Sequence, residues 1–277
     1  MGEAKCRCDV PVRQGAPPTV TSPRAVAQCV ASYLDGLGVD VHGNYGVHDN
    51  IAVRKAAPKG LLDVVRYLCE LPVDRGVDPS ADGKAAFRMA ACNGHLDVVR
   101  YLCELPVDRG VDPSADDNYA VRWAALICHL DMVRYLCELP VDRGVDPSAD
   151  GNFAVRSAAC YGYLDVVRYL CELPVARGVD PSVDDNDAVR TAAWNGHLDV
   201  VRYLCELPVD RGVDPSAEDN WAIRLSAAEG HLDVVRCLCE LPADRGVNPS
   251  ADDNDAVRSA AGEGHSGVVR YLCELPV

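Results

Sequence analysis

An all-α solenoid, built by stacking short helix–turn–helix units with turn-rich loops, is the fold this sequence predicts. Three observations carry that prediction. A unit containing AVR, AA and GHLDVVRYLCELPVDRGVDPSADDN returns every 34 residues, its first alanine falling at Ala52, Ala86, Ala120, Ala154, Ala188, Ala222 and Ala256. A fixed period in this range marks a stacked array. Each unit holds two short helical stretches and then a loop rich in Gly, Asp and Pro, the residues of turns. The second stretch is apolar nearly all round. In the copy starting at His95 only Asp97, Arg100 and Glu104 are charged, so a single unit has no means of burying it and neighbours must.

The elements follow in order. Residues 1–21, rich in Pro, Gly and small polar residues, read as a flexible tail. Its Cys6 and Cys8 are too few ligands for a structural metal. Residues 22–48 read as a degenerate N-terminal capping helix, with Val26, Cys29, Val30, Tyr33, Leu34 and Leu37 on its apolar side; arrays need such ends for solubility. Residues 49–277 hold seven repeats, the last incomplete. In the third, a first helix is expected from about Asn118 to Ile127, with Asp117 or Asn118 capping it through a side-chain oxygen. A second is expected from about His129 to Leu139, stopped by Pro140. The histidines that open the second helices (His95, His129, His197, His231 and His265) are expected to cap and pack. At the far end Ser266 and Gly267 replace Leu and Asp. Two readings stay open there: the chain is cut short mid-repeat, or Val269, Leu272 and Leu275 form an uncapped surface for self-association.

The formal net charge is −15, which disfavours nucleic acid and anionic membrane surfaces, both of which attract Lys and Arg. No apolar run approaches the roughly 20 residues of a membrane span. A neutral or basic protein partner fits instead. Seven of the fourteen cysteines share one register: Cys69, Cys103, Cys137, Cys171, Cys205, Cys239 and Cys273. Packed helices lie about 8–10 Å apart, and a disulfide needs Cα atoms within about 7 Å. These thiols therefore read as small buried side chains in a reducing, cytoplasmic compartment.

At AACNGHLDVVRYL, from Ala90 to Leu102, the sequence resembles the ankyrin repeat, whose helix–turn–helix carries an AAxxGHLEVV segment at this point. The resemblance covers residues 49–277 and recurs in seven registers. It departs from the family where Thr-Pro-Leu-His would open the first helix and forms such as Tyr119-Ala120-Val121-Arg122 stand instead. The loop is also divided differently, and a tight turn is expected in place of the projecting β-hairpin. Tetratricopeptide repeats share the period, but their Trp, Gly, Tyr and Pro pattern is absent. The resemblance implies a non-enzymatic protein–protein interaction scaffold, with no cofactor. Its partner would lie on the concave face formed by first helices and turns. Two other readings stay open: a structural array with no dedicated partner, and the targeting module of a larger enzyme.

On a helical wheel, Val121, Ala124 and Ala125 share one side of the first helix of the third repeat, and these positions barely change between copies. The opposite side carries the positions that do change. In the third repeat these include Tyr119, Trp123 and Ile127; in the fourth, Phe153, Ser157 and Tyr161; in the fifth, Asp187, Thr191, Trp194 and Asn195; in the sixth, Trp221, Leu225 and Glu229. All three tryptophans of the chain fall on this stripe. Chemical variety confined to one stripe of an otherwise repeated frame marks these residues as candidates for protein binding, with the rings as anchors. Tolerant gap-filling between adjacent helices is the competing account.

Other chemistry is thin. One arginine per repeat follows the core valine (Arg54, Arg88, Arg122, Arg156, Arg190, Arg224 and Arg258) and is expected to tie a loop carbonyl or carboxylate between repeats. GVDPSADDN holds acids without the ligand spacing of a calcium loop. No repeat carries a nucleophile–base set that its siblings lack, so no catalytic residue, cofactor or metal site is predicted.

Overall fold

The computed structural model describes residues 50–71, 78, 81–106 and 110–275. The tail over 1–21 and the capping helix over 22–48 lie outside the described residues. Among those described, the chain forms helices and no strand, in seven successive pairs. The pairs are α1 (Ile51–Ala56) with α2 (Leu62–Glu70), α3 (Ala81–Cys92) with α4 (Leu96–Glu104), and α5 (Ala115–Leu126) with α6 (Leu130–Glu138). They continue as α7 (Ala149–Cys160) with α8 (Leu164–Glu172), and α9 (Val183–Trp194) with α10 (Leu198–Glu206). The last two are α11 (Ala217–Ala228) with α12 (Leu232–Cys239), and α13 (Ala251–Gly262) with α14 (Ser266–Glu274). Each first helix packs on the first helices of its neighbours and on its own second helix.

The core follows from the frame. Ala120, Val121, Ala124 and Ala125 are buried on α5, and Met132, Val133, Leu136 and Cys137 on α6. Small residues let first helices approach closely, and the branched residues of the second helices fill the space behind them. Fully burying one Val or Leu is worth about 1.5–3 kcal/mol, so the gain accumulates repeat by repeat. Phe87, where other repeats have valine or isoleucine, is also buried. The cysteine ladder is buried from Cys69 to Cys205, and Cys103, Cys137, Cys171, Cys205, Cys239 and Cys273 are free thiols.

The entry to each first helix differs from the expected cap. Asp116, Asp117 and Asn118 all have left-handed backbone, with φ of 54°, 53° and 58°, and the right-handed helix starts only after them. The same turn recurs at Asp150–Asn152, Asp184–Asn186, Glu218–Asn220 and Asp252–Asn254. An L-residue pays roughly 1–2 kcal/mol in this region, and Asp, Asn and Gly pay least. That explains the Asp-Asp-Asn and Asp-Gly-Asn runs. Asn118 does not cap its own helix: its Oδ1 accepts the Asp146 N–H of the next repeat at 2.8 Å. Asn50, Asn152, Asn186 and Asn220 make the equivalent bond. Asp146 Oδ1 then accepts both the N–H and the hydroxyl of Ser148, which sets the Asp-Pro-Ser turn.

The second helices begin after His129 and its counterparts and stop before the proline, as the sequence indicates. The histidines make no side-chain cap bond. Instead their rings reach back one repeat, where His95 Nε2 meets the Pro58 carbonyl at 3.0 Å and His197 Nε2 meets that of Cys160 at 3.1 Å. Glycine lies under the ring because a Cβ on Gly162 would come within 2.5 Å of His197 Nδ1. One junction departs. Cys128 stands in the glycine register with φ 62°, and the next repeat presents Tyr163 instead of histidine.

Candidate protein-binding face

The variable stripe lies on the flank of the first helices that the stack leaves open. Trp123, Tyr161 and Trp194 are 36%, 56% and 43% exposed. Asn195 and Glu229 are exposed, while Tyr119, Ile127, Phe153, Asp187, Thr191, Trp221 and Leu225 are half-buried. Ser157 departs from the stripe. It is only 8% exposed, and its hydroxyl donates to the Ala154 carbonyl. Thr191 Oγ1 likewise bonds the Asp187 carbonyl, at 2.7 Å.

The rings also touch one another. Tyr119 and Trp123 stack with centroids 5.2 Å apart, and Trp194 meets Trp221 edge-on at 6.2 Å. Their N-terminal members join an arginine ladder. Arg88, Arg122, Arg156 and Arg224 each pair with a carboxylate on the left-handed turn of the following repeat, at Asp116, Asp150, Asp184 and Asp252. These four guanidinia and that of Arg190 also meet the first stripe residue of the following repeat. Arg88 lies over Tyr119 at 5.2 Å, Arg122 over Phe153 at 5.6 Å and Arg190 over Trp221 at 4.9 Å. Where the residue is acidic, the arginine bonds it: Arg156 Nε to Asp187 and Arg224 Nε to Asp255, both at 2.9 Å. Beside a ring the same atom loses its acceptor, and Arg122 Nε and Arg190 Nε are buried without one.

With this geometry in hand, the comparisons with known proteins settle the family. The sequence model for ankyrin repeats (3 copies) matches residues 25–117, 105–187 and 190–276. The chain is an ankyrin-repeat protein. Among solved structures it is similar to an ankyrin repeat family protein from Legionella pneumophila, at 23% identity and a TM-score of 0.46, over 90% of this chain and 76% of that one. No curated protein sequence matches it. As an ankyrin-repeat protein it is unusual between its helix pairs. The described loops carry a 3₁₀ turn such as Val141–Arg143 and the left-handed turn, where a hairpin would project.

Two sets of ties between repeats were missed in the sequence. Arg143, in the loop, donates from Nη1 and Nη2 to the carbonyls of Cys103 and Val111 in the preceding repeat, each at 2.9 Å. Arg177 and Arg211 repeat this bond pair. The first acceptor lies in the last turn of a second helix, where carbonyls lack intrahelical partners. The other set lies on the second helices, where Arg66, Arg100, Arg134, Arg168 and Arg236 cover the tyrosine of the following repeat at 4.9–5.6 Å. The signal for both was a charged residue held at one register of the repeat.

The buried ladder thiols and the two on the stripe are poor nucleophiles. Burial pushes Cys103 up to about 11, and Cys137, Cys171 and Cys205 up to about 12. Burial also raises Cys92 and Cys160 on the stripe itself. A thiol raised in this way holds little thiolate at neutral pH. Among the described residues, no cluster of His, Cys, Asp or Glu could hold a metal ion, and no helix is long and apolar enough to cross a membrane.

Proposed function

We propose that this ankyrin-repeat protein is a non-enzymatic, cytoplasmic scaffold that binds a neutral or basic protein partner along the concave flank of its first helices. The observation that carries the proposal is the split between frame and stripe. The repeated residues are buried, while Trp123, Tyr161 and Trp194 stay open to solvent on the side that varies. Leu, Val and Ala satisfy the stack, so open tryptophans are surplus to folding. Aromatic anchors of this kind can each carry more than about 2 kcal/mol of binding. Ankyrin repeats are in general protein-interaction modules, which agrees with this use.

Affinity capture from a lysate tests the proposal, comparing the natural chain with the triple variant Trp123→Ala, Trp194→Ala, Trp221→Ala. The variant is expected to lose the captured partner while its helical signal persists. Equal recovery by both chains would sink the proposal. A structural role has specific support at the start of the stripe, where Tyr119, Phe153 and Trp221 already lie under arginines of the preceding repeat, and at the buried Ser157.

A further inference from the structure

Among the described residues, the chain lays an arginine over an aromatic ring at eight places. None of these rings is Trp123, Tyr161 or Trp194, the three most exposed. On the first helices the arrangement has two parts, a ring face and a carboxylate. Arg88, for example, covers Tyr119 while pairing with Asp116. Both parts recur at Trp194 without an arginine of this chain over the ring. Trp194 Nε1 donates to Glu229 Oε1 at 3.3 Å, Glu229 is exposed, and the edge-on Trp221 forms a wall. A carboxylate that accepts one indole N–H keeps acceptor capacity for a guanidinium.

The surroundings favour a cation. The first-helix arginines Arg88, Arg122, Arg156 and Arg224 are matched by turn carboxylates of the next repeat. Further carboxylates at Asp117, Asp185 and Asp219 stay exposed on those turns. The net charge of −15 adds to this field and draws basic partners toward the face.

We infer that Trp194 and Glu229 receive an arginine side chain from an extended, basic segment of the partner, with Trp123 and Tyr161 holding a second side chain of the same segment. This inference rests on the protein-binding role proposed above. Stacked helices lie about 8–10 Å apart, so Trp123 and Trp194, two repeats apart, are separated by roughly 16–20 Å. An extended chain rises about 3.3 Å per residue, which places the two anchors about five or six residues apart.

The test uses the full chain and a synthetic peptide with arginines about six residues apart, joined by Gly and Ser. Controls carry glutamate in place of arginine, or arginines only three residues apart. Calorimetry and tryptophan emission are read at low and moderate salt. The wide-spaced arginine peptide is expected to bind saturably, to weaken with salt and to outcompete both controls. Glu229→Gln, at an exposed site, is expected to weaken it about tenfold, the scale of one charge-assisted hydrogen bond; Trp194→Leu is expected to do at least as much with the melting curve unchanged. No binding of the arginine peptide at millimolar concentration, equal binding of the glutamate peptide, or unchanged affinity in Glu229→Gln would overturn the inference. Tryptophan-dependent capture of a partner that the arginine peptide does not displace would also overturn it, while leaving the broader binding role standing.

Discussion

Both flanks of the array are laced by arginine, yet one flank repeats itself and the other does not. On the second helices the guanidinium of one repeat covers Tyr101, Tyr135, Tyr169, Tyr203 or Tyr271 of the next. On the first helices it meets Tyr119, Phe153, Asp187, Trp221 or Asp255. The inter-repeat geometry is the same, so stacking alone does not choose among ring, indole and carboxylate. What keeps the outer flank constant is a second demand on its ring. The hydroxyls of Tyr101, Tyr169 and Tyr203 also approach the backbone carbonyls of Arg66, Arg134 and Arg168 at 3.4–3.5 Å. The first-helix flank lacks that constraint, and its variety is available for another purpose.

The largest expected difference comes from placing the same side chain on each flank. Tyr169→Asp should cost about 3 kcal/mol in denaturant unfolding. It removes a half-buried ring that packs against the core, and leaves a carboxylate beside apolar neighbours. Phe153→Asp should stay within about 1 kcal/mol. Arg122 Nε, now without an acceptor, would gain one as Arg156 does from Asp187. Equal costs at the two sites would break the comparison, because the first flank would then be as constrained as the second.

A smaller effect is expected where the outer flank lacks its own rung. Cys237 stands where the other repeats have tyrosine, so Arg202 faces a thiol. Cys237→Tyr should restore the ring under Arg202 and stabilise the chain by about 0.5–1 kcal/mol, visible as a higher melting temperature. A lower melting temperature would show that the ladder is incidental to packing in the sixth repeat.

These ties also mark how far the sequence could be read. The 34-residue period exposes the frame directly, because Val121, Ala124 and Ala125 recur wherever the stack demands small buried residues. The wheel likewise separated that side from Trp123 and Trp194. It could not show that Tyr119, Phe153, Asp187 and Trp221 lie against an arginine 31 residues earlier, since a wheel describes one helix and this contact joins two. The Asn118 bond was hidden for the same reason. Its partner, Asp146, belongs to the next repeat, and a single-helix view assigns the amide to a local cap. Ser157 was misplaced because a polar residue can be buried once its hydroxyl finds a backbone carbonyl within its own helix.

The smallest expected effect separates the charged ties from the neutral histidine ties between them. Burial holds the His129 and His197 imidazoles below their usual 6.5, and the carbonyl bonds to Cys92 and Cys160 offset this only in part. As pH falls through about 6.5 the unfolded imidazoles take up protons before the folded ones do. The unfolded state then binds more protons, so unfolding becomes easier. Stability from these histidines is complete above about pH 6.5, declines below it and levels off under the folded values. The carboxylate ties fail later: the bond from Arg224, above all, holds Asp255 below the usual carboxylate range. Between about pH 7.5 and pH 5 the melting temperature should therefore fall, and His129→Asn with His197→Asn should flatten the slope. A melting temperature that rises over this interval would mean that the folded state prefers charged imidazoles. In that case these junctions would be ionic ties like the arginines on either side of them.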